Sequence, residues 1–532
     1  MKKPLIALLC CLMIASLAAC AGAPAANTTP AASADASQAP TSAQAATSAP
    51  ATEPTAANQE VYPFRLYGNI ATEIKEPDKI FFEQIEKALN VKIDVQIPPS
   101  SNYIDALTIM MAGGDYPELV LFPDHVNKSF VDGVANGAIL PLNEYLDKAP
   151  NLKKYSYEVS WNTLRIKGDD KIYGVPRTSV ARADGFELRK DWLDKVGITI
   201  EEGPVTLDKM TEILTAFTKN DPDGNGVADT YGLGASTSDG NLNVQFGWTF
   251  GLIGWQKYDG EDFEYMDLMY SKKSDNFKRA LEYTNMLWKN KLIDPDWPTV
   301  TTDVMMQRLT QGVIGMRGEF AGWLIQTENN LKKVNPNAQL AYITAVVEKE
   351  GDTARGGSFS TGFWGEWAIT SSAKQPQRII DVLDYMLSDA YWETVKYGPE
   401  GVTRTKGSDG SWAATEKYKD YLGGRAILRR NDDPGFFITL DVSPENRIRM
   451  DNLIGTCIKQ AVFSQDQGFR PAIADDPAYI DADKEYKASI SKIIVGDLPV
   501  SDYDKVLDAW YKAGGQTYIE QMNAGIKAKM GQ

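Results

Sequence analysis

The pattern of apolar and polar positions after residue 60 alternates between strand and helix. Residues 63–70 predict a strand, and residues 91–97 predict another from their strict alternation of apolar and polar side chains. A helix is predicted from Pro77 to Leu89, where apolar side chains recur on one face. A second helix follows over roughly 103–112, and the apolar run 118–122 predicts a short buried strand.

This order of elements implies an α/β fold with a mainly parallel sheet. Strands that alternate with helices pair in parallel through right-handed crossovers. Ligands of such sheets bind beyond the carboxyl ends of the strands. Gly68–Ile70 and Phe122–Asp124 lie at two such ends, so Asn69 and Asp124 are candidate ligand-binding residues.

The first twenty residues form a different pattern, that of a secretion signal. Lys2 and Lys3 precede an apolar run from Leu5 to Leu17, which is too short for a stable membrane span. The run ends in Leu-Ala-Ala before Cys20 and resembles a bacterial lipobox, which directs lipidation of that cysteine and cleavage before it. The alternative is an ordinary secretory signal in which Cys20 is incidental.

Residues 21–60 predict a tether between a lipid anchor and a folded body. They contain no Val, Ile, Leu, Met, Phe, Trp or Tyr, so they offer no apolar surface to offset the entropy of ordering. A flexible chain of this length spans roughly 35 Å root-mean-square. The chain that follows is too long for one small core and predicts two or more lobes.

The amino-acid composition limits the kinds of metal site, catalytic triad, disulfide and ligand that the protein can have. The single histidine, His125, excludes multi-histidine metal sites and most histidine-based triads. Of four cysteines, only Cys20 and Cys457 follow the signal, so we expect no disulfide framework and a buried thiol at Cys457. Removal of the signal takes the formal net charge from −16 to −18, which disfavours nucleic acid and anionic ligands.

Residues 221–232 resemble a calcium-binding EF-hand loop. Asp221, Asp223 and Asn225 stand at loop positions 1, 3 and 5, Val227 would offer its carbonyl at 7, and Asp229 stands at 9. Hard oxygen ligands at this spacing suit calcium, with a structural role. The alternative is a turn in which these side chains only accept backbone hydrogen bonds.

Several phrases, in their order along the chain, resemble the bacterial extracellular solute-binding proteins of the sugar-transport type. They are NYIDALTIMMAGGDYPELVLFPD at 102–124, VANGAILPLNEYL at 134–146, KIYGVPR at 171–177, RKDWLDKVG at 189–197, PVTLDKM at 204–210, NKLIDPD at 290–296, GVIGM at 312–316 and YGPEGV at 397–402. The resemblance is strongest to the long lipoproteins that include the alginate-binding proteins. Those have an acid directly after the position of Asp229, where this chain has Thr230, and position 12 of the loop is Gly232 instead of glutamate.

The resemblance implies a periplasmic-binding-protein type II fold, whose two α/β lobes close on a ligand. It predicts crossings between lobes near Gly174–Ser179 and Phe363–Thr370. The predicted regions are a signal (1–19), a lipidated tether (20–60), an N-lobe (61–178 and 368–440), a C-lobe (179–367) and C-terminal helices packing on both lobes (441–532). The helices include 502–513 and 516–529.

A sugar site needs flat aromatic rings and planar polar groups. The chain has twelve tryptophans, several in glycine-rich contexts, and relatives place an aromatic residue at the position of Trp323. With Asn69 and Asp124, the candidate ligand-binding residues are Arg177, Trp248, Trp255, Glu319, Trp323, Trp364, Glu366 and Trp367.

The resemblance therefore predicts a monomeric lipoprotein on the extracytoplasmic face of a bacterial membrane. It would capture an oligosaccharide and deliver it to ABC-transporter permease subunits, without catalysis. The acidic net charge adds the expectation that this oligosaccharide is neutral and that the protein does not bind nucleic acid. One alternative is a surface glycosidase or lyase, although no pair of carboxylates stands in a recognisable motif. The other alternative is a peptide-binding or sensor lipoprotein.

Overall fold

The computed structural model describes residues 60–166, 169–182, 184–236, 246–356, 358–408 and 410–530. Cys20 and the predicted signal and tether lie outside these ranges. Two five-stranded sheets organise the described part of the chain. No helix within these ranges is both long enough and apolar enough to cross a membrane.

The first sheet contains the strands predicted at the start of the body. Its strands are β1 (Tyr62–Tyr67), β2 (Val91–Gln96), β3 (Leu119–Phe122), β4 (Val175–Thr178) and β13 (Phe363–Ile369), in the order β2-β1-β3-β13-β4. β1 pairs in parallel with β2 and β3, as the alternation of strand and helix predicts. β13 arrives from much later in the chain and pairs antiparallel with both β3 and β4.

The second sheet is mixed. Its strands are β5 (Gly185–Arg189), β6 (Gly203–Thr206), β7 (Tyr231–Gly234), β10 (Ile314–Glu319) and β11 (Leu340–Val347), in the order β6-β11-β5-β10-β7. β5 is antiparallel to its neighbours β10 and β11, whereas β10 pairs in parallel with β7 and β11 with β6. All eight residues of β11 are buried, so this strand has packing on both faces.

Helices cover these sheets. On the way through the first sheet and into the second they are α1 (Glu76–Leu89), α2 (Tyr103–Gly113), α3 (Lys128–Asn136), α4 (Asn143–Leu146), α5 (Pro150–Lys154), α6 (Glu158–Thr163), α7 (Lys190–Val196) and α8 (Leu207–Lys219). The later ones are α9 (Asn276–Lys289), α10 (Thr302–Gln311), α11 (Leu324–Lys332), α12 (Pro376–Met386), α13 (Trp392–Tyr397), α14 (Gly423–Ile427), α15 (Pro444–Gln460), α16 (Pro477–Val495), α17 (Tyr503–Trp510) and α18 (Gln516–Lys529).

Short paired strands complete the described elements. They are β8 (Gln256–Lys257) with β9 (Tyr265–Met266), β14 (Arg404–Lys406) with β15 (Trp412–Ala414), and β12 (Ser358–Phe359) with β16 (Val462–Phe463). The last pair is parallel and ties the end of α15 to the segment that leads into β13.

The chain passes from one sheet to the other at two places that flank β13 and β4. The first passage joins Thr178 of β4 to Gly185 of β5, and the second runs from Val347 of β11 to Phe363 of β13. The sequence predicts the second crossing near Phe363–Thr370. In the structure the second passage ends where this segment begins, because Phe363 is already the first residue of β13. Residues 363–367, predicted in the C-lobe, lie in the first sheet because β3 and β4 hydrogen-bond to both edges of β13.

The C-terminal helices pack mainly on the core of the second sheet. Ile490, Leu507 and Ile526 of α16, α17 and α18 all belong to that core. Lys529 at the end of α18 also donates a hydrogen bond to the carbonyl of Asn162 in α6, at 3.2 Å. Cys457 of α15 is a free and fully buried thiol, which confirms the prediction for this residue.

Candidate functional site

Aromatic side chains from both sheets meet where the two passages lie. The ring of Phe437 stands 5.1 Å from that of Phe320 and 5.6 Å from that of Trp323, both of which follow β10 of the second sheet. Phe436 precedes Phe437 in the turn after α14, and Trp364 belongs to β13 of the first sheet. We call Phe320, Trp323, Trp364, Phe436 and Phe437 the aromatic junction.

Two rings of the aromatic junction are open to solvent. The side chain of Trp323 is 39% exposed and that of Trp364 is 55% exposed, although both rings are large and apolar. Exposed aromatic rings at the meeting point of two lobes are the feature that a stacking ligand requires. Both residues are among those predicted from the sequence.

A buried ion network shapes the turn that carries Trp323. Arg317 of β10 contacts Glu187 at 3.0 Å and Glu319 at 2.8 Å. The other oxygen of Glu319 accepts the backbone N–H of Phe320 at 2.8 Å. Burial raises the pKa of Glu187 to about 7. Glu319, predicted as a ligand contact, therefore positions the backbone that leads to Trp323.

Four arginines surround the aromatic junction, and we call Arg177, Arg182, Arg425 and Arg429 the arginine cluster. Arg177 lies on β4, Arg182 on the first passage between the sheets, and the other two in or just after α14. Arg182 pairs with Asp184 at 3.1 Å. Only Arg177 is among the residues predicted from the sequence.

The guanidinium groups of Arg182, Arg425 and Arg429 stack on phenylalanine rings. Arg182 lies 4.2 Å from the ring centre of Phe320 and 5.9 Å from that of Phe437. Arg429 lies 5.2 Å from the ring of Phe437, and Arg425 lies 5.1 Å from that of Phe436. Cation–π contacts of this length hold a guanidinium group in place while it keeps its charge.

The positive charges of the cluster act on one another. Burial, followed by the charges of Arg177, Arg182 and Arg425, lowers the pKa of Arg429 well below its usual value. Burial also lowers the pKa of Arg177 to about 10. Both shifts mean that the charged form is disfavoured where it stands, so a negative charge placed among these groups would be attracted.

Two predicted tryptophans are packing residues and do not offer a ring to a ligand. Trp367 is fully buried under Gly68, and its indole N–H donates to the carbonyl of Ile427 at 2.8 Å. Trp255 is 5% exposed and packs between Tyr270 and Tyr518. The structure thus corrects the prediction for both residues, because their rings fill the two cores.

Three further candidates lie apart from the junction's contacts. Trp248 is half-buried beside β11, where the next residue, Thr249, donates to the carbonyl of Val346 at 3.0 Å. Asn69 is half-buried just after β1. Asp124 is exposed just after β3 and accepts the N–H of Val126 at 3.0 Å. Asn69 and Asp124 therefore stand beyond strand ends of the first sheet, as predicted.

Glu366 is buried beneath the surface that Trp364 occupies. Its side chain is fully buried, and neither carboxylate oxygen has a hydrogen-bond partner among the described residues. Burial, followed by the charge of Asp124, raises the pKa of Glu366 well above its usual value. Burial thus favours the neutral acid form of this group inside the first sheet, and its full burial corrects its prediction as a ligand contact.

The predicted calcium loop follows α8. The amide nitrogen of Asn225 bridges two carboxylates, at 2.8 Å from Asp223 and 3.2 Å from Asp229, and Asp221 accepts backbone N–H groups of the same loop. Burial, together with the neighbouring carboxylates, raises the pKa of Asp223. Within the described ranges, no three His, Cys, Asp or Glu side chains are grouped closely enough to hold a metal ion.

Two sheets covered by helices and linked by passages beside exposed aromatic rings define a two-lobed binding protein. The chain belongs to the family of bacterial extracellular solute-binding proteins, whose model matches residues 71–391. The prediction of this family and of its α/β fold is confirmed. Proteins of this family are substrate-binding proteins.

Relatives and solved structures match over most of their length. The polygalacturonan/rhamnogalacturonan-binding protein YtcQ of Bacillus subtilis is 24% identical over 84% of this chain and 87% of its own. Lipoprotein LipO of the same organism is 23% identical over 82% of this chain and 87% of its own length. The alginate-binding protein AlgQ2 without calcium ion has a TM-score of 0.65 at 18% identity, over 90% of this chain and all of its own. The Streptococcus pneumoniae substrate-binding protein FusA in complex with kestose has a TM-score of 0.64 at 18% identity. The match covers 89% of this chain and all of FusA.

The buried carboxyl of Glu366 predicts a pH-dependent difference between the wild type and the variant Glu366→Gln. The unfolded chain ionises this group above a pKa of roughly 4.3, whereas the folded protein keeps it neutral to a much higher pH. Folding therefore loses stability as the pH rises above that value. The free energy of unfolding of the wild type should fall by up to about 1.4 kcal/mol per pH unit relative to the variant.

Denaturant unfolding from pH 4.5 to pH 8 measures this difference. The exposed residue Glu400 supplies a matched control, and Glu400→Gln should follow the wild-type curve. If the curves of the wild type and Glu366→Gln run parallel across this range, Glu366 is ionised in the folded protein.

Proposed function

We propose that the protein captures an oligosaccharide between its two lobes and delivers it to the permease of an ABC importer. The observation that carries this proposal is the pair of solvent-exposed rings, Trp323 and Trp364, at the meeting point of the two sheets. A sugar ring stacks on such a face while its hydroxyl groups stay free for planar polar side chains. Arg182 of the arginine cluster supplies one such side chain, 5.9 Å from the ring centre of Trp364.

The known ligands of similar proteins support the same class of ligand. These proteins bind polygalacturonan, alginate or kestose, each of which is built from sugar units. FusA is also named as an ABC-transporter substrate-binding protein. Closure of the lobes would follow binding, because only the closed form contacts the ligand from both sides.

The variant Trp323→Ala should bind the oligosaccharide at least tenfold more weakly, since truncation of a buried aromatic anchor typically costs about 2 kcal/mol or more. A thermal-shift screen of mono-, oligosaccharides and peptides would identify the ligand, and calorimetry would compare the affinities. Trp412, on the β14–β15 hairpin outside the junction, supplies the control: Trp412→Ala should bind as the wild type does.

Equal affinities of Trp323→Ala and the wild type would remove Trp323 from the site, and a preference for peptides over every sugar would overturn the ligand class.

We also propose that binding is not followed by catalysis. Ligand recovered from the wild-type sample should therefore be intact, whereas cleaved ligand would indicate a carbohydrate-active enzyme.

We further propose that the loop at 221–229 binds a structural calcium ion. Asp221, Asp223 and Asp229 supply carboxylate oxygens, Val227 supplies a carbonyl, and a rotation of the Asn225 amide would supply a further oxygen. The grouping of Asp223 and Asp229 around one amide nitrogen supports the proposal, because a cation would relieve the repulsion between these carboxylates. Two similar solved structures are AlgQ2 without calcium ion and an EF-hand mutant of FusA.

Calcium added to chelator-treated protein should raise its melting temperature, since a ligand of the native state stabilises that state by mass action. Asp223→Ala should lose most of this rise. Asp132→Ala, an exposed carboxylate on α3, should keep it. An unchanged melting temperature in chelator-treated wild type would leave the loop as a simple turn.

Finally, we propose that Cys20 carries a lipid that holds the protein at the extracytoplasmic face of the membrane. The lipobox pattern before Cys20 and the lipoprotein relative LipO support this anchor. Cys20→Ala should shift the protein from the membrane fraction to the soluble fraction and stop processing at this position. Cell fractionation followed by mass spectrometry of the N-terminus would test this, and unchanged retention with unchanged processing would contradict it.

A further inference from the structure

The arginine cluster carries more positive charge than its protein neighbours balance. Among the described residues, only Asp184 forms an ion pair with the cluster, through Arg182. Arg177 donates to the carbonyl of Ala426, and Arg425 donates to the carbonyl of Phe436 at 2.7 Å. The Nε atom of Arg429 is buried and has no hydrogen-bond acceptor within the described ranges. Four cations thus share one carboxylate.

The four arginines of the cluster are half-buried, whereas the arginines that are buried elsewhere in the described chain are all paired with carboxylates. Arg189, Arg317, Arg404 and Arg430 each lie within 3.2 Å of a carboxylate oxygen. Pairing of this kind is the rule for arginine withdrawn from water, because an unpaired charge loses its hydration without compensation. The arginine cluster therefore has the character of a site whose counter-charge comes from outside the chain.

The position of the arginine cluster indicates that a ligand at the aromatic junction supplies the negative charge. Arg182 contacts the ring of Phe320 and lies 5.9 Å from the exposed ring of Trp364, so it borders the surface on which a sugar would stack. A guanidinium group that rests on an aromatic ring can still offer the N–H groups at its edge to an acceptor. The geometry of two N–H donors in one plane matches a carboxylate.

We propose that the ligand is an oligosaccharide whose sugar units bear carboxylate groups, and that the arginine cluster binds these carboxylates while the exposed tryptophans stack on the rings. This inference rests on the proposed function and narrows its ligand to hexuronate-type sugars. It replaces the neutral sugar expected from the net charge of the chain. That charge is a sum over the whole surface, whereas the ligand meets only the local charge of the junction.

Calorimetry with a panel of galacturonate, mannuronate and guluronate oligomers, set beside neutral oligosaccharides, tests the inference. The tightest acidic oligomer is then compared with its fully methyl-esterified form, which keeps the rings and hydroxyl groups but lacks the charges. The ester should bind at least tenfold more weakly, since hydrogen bonds to charged groups are the stronger ones. Affinity for the acidic form should also fall as the salt concentration rises.

The variant Arg429→Gln should lose at least tenfold in affinity for the acidic oligomer and little for the ester. Arg470→Gln, at an exposed arginine outside the junction, should match the wild type with both. The comparison of acid and ester on the wild type needs no variant, so it stands even if Arg429→Gln fails to fold.

The outcomes separate the two proposals. Equal affinity for acid and ester, or binding of neutral oligosaccharides with no binding of any acidic oligomer, would overturn the inference and leave the oligosaccharide function intact. Failure of every oligosaccharide, acidic or neutral, to bind would overturn both.

Discussion

The hydrogen-bonded ladder between β13 and its neighbours β3 and β4 is the constraint on which the site depends. These strands lie far apart in the chain, yet their backbone groups are satisfied only when β13 enters between the other two. Both passages then meet the first sheet at neighbouring positions, because Thr178 at the end of β4 pairs with Phe363 at the start of β13. Arg177 on β4 and Trp364 on β13 are brought together by this pairing, and the turn with Trp323 faces them from the second sheet.

The local periodicity of apolar side chains was sufficient to predict the first strands and helices of the folded body. The predicted strands and helices between residues 63 and 122 match β1, α1, β2, α2 and β3 to within a few residues, because each has its own apolar face. The placement of β13 was not predictable in this way. An antiparallel strand inserted into a parallel sheet has no local signal, so its residues 363–367 were assigned to the wrong lobe.

The sequence FWGEW at 363–367 shows why the candidate site was only partly predictable. A regular strand would place Trp364 and Glu366 on one face, yet Trp364 is exposed and Glu366 is buried. Gly365 has φ +79°, and the pairing of β13 with β4 shifts register between Phe363 and Glu366. Such a bulge re-aims side chains locally, and it is set by the neighbouring strands rather than by the residues themselves.

The net charge of the chain and the local charge at the aromatic junction differ for a related reason. Many acidic residues of the described surface form ion pairs with lysines, whereas Arg182 and the neighbouring pair Arg425 and Arg429 come from two separate segments that meet only in the folded chain. Their stacking on Phe320, Phe436 and Phe437 compensates part of the lost hydration but none of the mutual repulsion. A ligand that brings negative charge would relieve that repulsion, so the local charge of the arginine cluster favours an acidic sugar although the net charge of the chain is negative.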